Sequence, residues 1–133
     1  NNIIIMKNLI VDATRDKIFL TLIVSENIYT GSHENSKINF EKLMILINDF
    51  LMVNSSSLDQ IDVIYVNRGP GSFAGIRNSL ATIKALFITK KINYYCFSFE
   101  DFKGFDAVKY EDVPNLCEKF KIKKNLINPI YLS

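Results

Sequence analysis

"VNRGPGSFAGIRNSLATIKALF", residues 66 to 87, sets three glycines and a proline between a β-branched run and a helix-forming run. The preceding stretch "IDVIYV" at 61–66 has the composition of a strand, and the residues from Ser72 or Phe73 to about Thr89 have helical periodicity. A strand turning through glycines into a helix is half of a parallel crossover. The same geometry can gather backbone N–H groups around a phosphate, with the helix dipole favouring an anion. The loop nevertheless lacks the Gly-Lys-Ser/Thr ending of a phosphate loop, and its glycine spacing is not G-x-G-x-x-G. The residues favour a tight corner over a nucleotide loop. Gly69 and Gly71 would supply unusual backbone angles, Pro70 would stiffen the turn, and Gly75 would let the helix approach the sheet.

Upstream, "KNLIV" at 7–11 is a short strand stopped by the turn "DATRD" at 12–16, and "KIFLTLIV" at 17–24 is a second strand. After the turn "SEN", "IYTGS" at 28–32 completes an antiparallel meander. From Lys37 to about Val53 the pattern becomes helical, with Phe40, Leu43, Met44, Ile47, Phe50 and Leu51 on one face. Ile38, Ile45, Leu46 and Met52 add a second apolar stripe that a surface helix does not need. Either the C-terminal segment covers that stripe or a partner protein does, and the short remaining chain favours the partner.

Downstream, "INYYCFS" at 92–98 is a strand that places Tyr94 and Tyr95 on opposite faces, and "FEDF" at 99–102 opens a short helix or turn. The helix after the glycines carries a bulky stripe (Ile76, Leu80, Ile83, Phe87) and a smaller one (Ala74, Ala81, Ala85, Ile88). The order β-β-β-α-β-α-β is that of an α/β RNase H-like or actin-like half-domain. This N-terminal α/β domain is expected over residues 1–104, with 105–133 as a short C-terminal tail holding one helix around 114–120.

The chain has 133 residues, 16 basic against 14 acidic, and no apolar run near the roughly 20 residues that span a bilayer. A soluble, membrane-free protein is the expectation, and the small net charge excludes a chain-wide nucleic-acid footprint. The local exception is "KFKIKK" at 119–124, read as solvated surface. "NNIIIMK" makes a poor signal peptide, and Met6 reads as the natural start, with residues 1–5 as an addition or an upstream start. Cys96 and Cys117 show no C-x-x-C spacing and are expected to be reduced cytoplasmic thiols, Cys96 in the core. His33 is the single histidine, expected exposed in a polar turn, so a two-histidine metal site is excluded and no metal is expected. Asp12 is read first as the cap of its own hairpin turn and second as a metal-associated carboxylate.

These residues resemble the TsaB (YeaZ) family, the dimerisation subunit of the bacterial machinery for tRNA N6-threonylcarbamoyladenosine. The glycine loop and following helix are close to the family's G-R-G-P-G-S-F-T-G-x-R, with Ala74 in place of the threonine. "NLIVDAT" at 8–14 resembles its opening strand and D-T-S turn, and "NPIYLS" at 128–133 resembles its P-x-Y-L-R. Asn39, Phe40 and Glu41 stand where the family has His-Ser-Glu. The resemblance implies an actin-like (ASKHA) half-domain whose second half is mostly missing. On that basis Asp12, Gly69, Gly71, Ser72 and Gly75 look like a vestigial nucleotide loop, with no cofactor and no catalytic residue of this chain's own. It also implies a cytoplasmic, non-catalytic scaffold for a TsaD-like subunit, with a TsaE-like ATPase joining through the complex, tRNA touched at most indirectly, and a homodimer as a third state. The expected interface is Phe40, Leu43, Met44, Ile47 and Leu51 from the first helix with Ile76, Leu80, Ile83 and Phe87 from the second. The rival expectation is a small phosphotransferase or glycoprotease-like hydrolase using Asp12 and the Gly69–Gly75 loop.

Overall fold

The computed structural model describes residues 5–131. Residues 1–4, part of the expected N-terminal addition, lie outside the described residues, as do Leu132 and Ser133 of the C-terminal resemblance. Strands β1 (Lys7–Asp12), β2 (Lys17–Val24) and β3 (Asn27–Glu34) form the meander. Helices α1 (Lys37–Glu41) and α2 (Leu43–Val53) follow, then β4 (Val63–Asn67), α3 (Phe73–Lys90), β5 (Asn93–Phe97) and α4 (Val113–Lys119). The sheet order is β3-β2-β1-β4-β5, antiparallel through the meander and parallel between β1, β4 and β5. This is the α/β RNase H-like arrangement expected from the sequence. No described helix is long and apolar enough to cross a membrane.

Alternation along the strands sends side chains to two cores. Leu9, Val11, Leu20, Ile64, Val66 and Tyr94 pack beneath α1, α2 and α3. Ile10, Tyr65 and Phe97 pack on the other face with Phe102, Val113, Leu116 and Cys117, so the chain after Gly104 covers the face that the first three helices leave bare. Tyr94 and Tyr95 divide between the two faces as the alternation requires. The tail also closes the β5 edge: the Asn125 N–H donates to the Tyr94 carbonyl at 2.8 Å, and the Tyr94 N–H donates to Asn125 Oδ1 at 2.9 Å.

Three sequence expectations are corrected. The helix over 37–53 is interrupted at Lys42, whose backbone leaves helical values (φ −110°, ψ 25°). The break resets the helical phase, so α2 turns Leu43, Leu46, Ile47, Phe50 and Leu51 inward, and Leu46 belongs to the core while Met44 is only partly buried. His33 lies in β3, paired with Ile18 and half-buried, because that strand runs two residues beyond Ser32. Finally, Phe40, Leu43, Ile47, Leu51, Ile76, Leu80 and Ile83 are all buried in this chain's own core, and Met44 and Phe87 pack against it. The bulky stripes face the sheet because only there can they all leave water, so they are core-facing rather than partner-facing.

Candidate functional site

The glycine corner is assembled where two neighbouring strands end. β1 finishes on Asp12 and its parallel partner β4 on Asn67. The Asp12 carboxylate is wholly buried and accepts four hydrogen bonds. Its Oδ1 accepts from the Thr14 N–H at 2.9 Å and the Thr14 hydroxyl at 2.7 Å, which is the turn cap that a short carboxylate makes two residues on. Its Oδ2 accepts from the Asn67 side-chain amide at 3.0 Å and from the Tyr110 hydroxyl at 2.7 Å, with the Arg15 guanidinium 3.9 Å away. Four donors take up about what a carboxylate can accept. Burial, reinforced by the facing Asp12 charge, pushes the Tyr110 pKa far above the ordinary phenol range, so its hydroxyl remains a donor.

The loop itself is pressed between two parts of its own chain. Gly69 has φ +112°, and a Cβ there would run into the Ile130 carbonyl and come within 2.9 Å of Ile76 Cδ1. On the other side a Cβ at Gly75 would strike the Ala13 carbonyl, because α3 starts directly against the β1–β2 turn. The Ser72 N–H donates to the Thr14 carbonyl at 2.9 Å, while Ser72 Oγ caps α3 by accepting from the Gly75 N–H at 3.2 Å. The Gly69 N–H donates to Asn67 Oδ1 at 2.9 Å, and the Ile130 N–H donates to the Arg68 carbonyl at 2.8 Å. Asp12, Gly69, Gly71, Ser72 and Gly75 are thus brought together as a corner filled by protein.

Sequence reasoning missed the groups that lock this corner. Arg68 donates through Nη2 to Asp101 Oδ1 at 2.7 Å, through Nε to Asp101 Oδ2 at 3.3 Å, and through Nη1 to the Asn128 carbonyl at 3.0 Å. A signal existed for one partner: Ser98 and Asp101 have capping-box spacing, and they make that box. Nothing local pointed to Tyr110, 98 residues from the carboxylate it meets. Burial pushes the Cys96 thiol up to about 11 and Cys117 up to about 12, which makes both thiols inert near neutrality.

The other candidate site is the outer side of the helical layer. On α2, Ile45 and Met52, two turns apart, are 58% and 63% exposed, and on α1 Ile38 is 68% exposed. Asn48 lies between Ile45 and Met52 and donates to Met52 Sδ at 3.4 Å. On α3, Ala74, Ala81 and Ile88 of the smaller stripe are exposed, as is Phe73, whose ring meets Tyr131 at 4.7 Å. Among the described residues, no three His, Cys, Asp or Glu side chains converge as a metal site would require.

Residues 33–98, from the end of β3 through β5, match the family model "TsaD: tRNA N6-adenosine threonylcarbamoyltransferase". The tRNA threonylcarbamoyladenosine biosynthesis protein TsaB of Buchnera aphidicola subsp. Baizongia pistaciae (strain Bp) is 35% identical over a stretch covering 41% of this chain and 28% of that protein. The chain is a TsaB-like member of the TsaD/glycoprotease family. Its fold is similar to YeaZ from Pseudomonas aeruginosa, with TM-score 0.64 and 19% identity over 70% of this chain and 44% of that one. Thermus thermophilus RuvC shares the fold more distantly, with TM-score 0.52 and 11% identity over 89% of this chain and 82% of that chain. This TsaB-like chain therefore matches less than half the length of the TsaB and YeaZ proteins named, 28% and 44% of them. The residues that match the family model include the glycine loop and helices α1, α2 and α3.

Proposed function

We propose that this TsaB-like chain is a non-catalytic scaffold that docks the outer side of α1, α2 and α3 on a TsaD-like catalytic subunit. It would thereby support formation of N6-threonylcarbamoyladenosine in tRNA in the cytoplasm, with a TsaE-like ATPase joining through the complex. The observation that carries this reading is the exposure of Ile45 and Met52 on α2 and of Ile38 on α1, on a layer whose inward side is packed on the sheet. Three such side chains, at about 1.5–3 kcal/mol each on full burial, would contribute materially against the cost of association. Residues 1–104 would be the docking domain, and of the segment 105–133 the helix α4 covers its second sheet face while Ile127 packs on the helical-side core. The non-catalytic role is supported by the corner, where the Asp12 carboxylate is engaged by four donors and the glycines lie against protein backbone.

Co-purification with the TsaD-like subunit of the same organism, sized by light scattering, tests the proposal. Wild type should form a heterodimer, and Ile45→Asp should lose it while keeping its circular dichroism spectrum. A complex indifferent to both Ile45→Asp and Met52→Asp would sink the assignment of the face. Self-association lost in the same variants, with no heterodimer formed, would replace the partner by a second copy.

A further inference from the structure

The sheet face opposite the helical layer holds a cavity of about 420 Å³ between α4 and the strands β4 and β5. Tyr65 and Tyr95 stand side by side in its wall, in register across the two strands, with ring centroids 5.3 Å apart and planes at 13°. Tyr65 is 7% exposed, yet none of the described residues hydrogen-bonds its hydroxyl. Tyr110, the other tyrosine of this face with a strongly raised pKa, commits its hydroxyl to Asp12. Burial holds Tyr65 neutral, so its hydroxyl can both donate and accept.

The rim of this cavity is basic. Lys121 lines it directly, and Lys124 forms an isolated antiparallel bridge with Tyr95, which puts the two side chains on the same face of the sheet. Both lysines are exposed, and neither is ion-paired among the described residues. Glu118 supplies one carboxylate to the wall. Ammonium groups outside, a free phenol hydroxyl and a carboxylate inside, and aromatic flanks match a ligand with an anion at one end and a flat, hydrogen-bonding ring at the other. The volume lies within the usual range for small-molecule sites, about 300–1,000 Å³.

We propose that this cavity binds a nucleoside monophosphate unit, free or as one residue of a single-stranded RNA, with its phosphate on Lys121 and Lys124 and its base against Tyr65 and Tyr95. The site lies on the face opposite the proposed docking surface and shares no residue with it, so either proposal can fail alone.

The test uses the 133-residue chain, a fluorescein-labelled octa-adenylate RNA read by anisotropy at about 50 mM salt, and AMP both as competitor and by calorimetry. Wild type should bind the octamer, AMP or both. Lys121→Ala with Lys124→Ala should weaken binding about tenfold or more and, for the octamer, lower the salt slope by roughly 1. Tyr65→Phe removes only a hydroxyl without a partner, so it should fold normally; it should bind roughly threefold more weakly with an unchanged salt slope. The same charge loss placed elsewhere, in Lys17→Ala with Lys42→Ala, should alter neither affinity nor slope. Octamer binding that AMP cannot displace would assign an RNA strand, and AMP binding without the octamer a free nucleotide. No binding of either probe overturns the proposal. Equal damage from the two lysine pairs, or no effect of Tyr65→Phe, overturns it as well, by reducing the interaction to general charge.

Discussion

The corner around Asp12 and the outer side of the helical layer are finished in opposite ways. At the corner a buried carboxylate has four donors, and a glycine-rich loop lies against backbone on two sides. Across the helical layer, Ile38, Ile45 and Met52 stand in water with most of their apolar side chains uncovered. The loop whose sequence most resembles a ligand cradle is the place where the chain has used its own atoms. The surface that a ligand motif would never have marked is the one left with free energy to gain.

If the corner is filled rather than open, Gly75→Ala should be the most damaging single methyl in the molecule. The added Cβ meets the Ala13 carbonyl, a backbone group that cannot rotate away, and the start of α3 would have to lift from the turn. A loss of roughly 3 kcal/mol or more is expected from urea denaturation. A variant within about 0.5 kcal/mol of wild type would mean that the corner has room, and the nucleotide reading would regain its footing.

Asp12 and Tyr110 come next. Asp12→Ala leaves the Thr14, Asn67 and Tyr110 donors without their acceptor, and a loss of about 3 kcal/mol is expected; Tyr110→Phe should cost about 1–2 kcal/mol. A carboxylate held ready for a ligand would behave otherwise, since its removal commonly stabilises a protein. The pair also predicts a pH dependence. Tyr110 has a folded pKa raised above its unfolded value of about 10, so the folded state keeps a proton that the unfolded state gives up. Its contribution is full below about pH 10 and falls as pH rises further, with Tyr65 adding the same sign. Urea midpoints from pH 8 to 11 should fall less steeply in Tyr110→Phe than in wild type. Equal slopes would show that the phenol proton is not held by the fold.

The architecture was legible in the sequence because it rests on local signals: alternation in 17–24, helical spacing after Ser72, and glycines between strand and helix. What stayed hidden depends on long-range placement. The break at Lys42 has no proline or glycine to announce it, and by resetting the helical phase it exchanged Leu46 for Met44 in the core. The expected interface rests on the bulkiest side chains, and the largest apolar stripe of a helix goes to its own sheet first. Tyr110 and Asn128 reach the corner from a tail with little local pattern, which sequence spacing could not relate to Asp12 or Arg68.

Ile45 and Ile47 bring that distinction down to two residues on one helix. Ile47 is fully enclosed, and Ile47→Ala should cost about 3 kcal/mol by removing core volume that its neighbours cannot refill. Ile45 is 58% exposed, and Ile45→Ala should move stability by no more than about 0.5 kcal/mol, the smallest change predicted here. In a TsaD-like complex the ranking should reverse: Ile45→Ala weakens binding, while Ile47→Ala binds normally for as long as it stays folded. Denaturation and titration of the same two proteins decide the matter together. Should Ile45→Ala prove as destabilising as Ile47→Ala, the outer stripe would be structural, and the partner would have to be sought on another face.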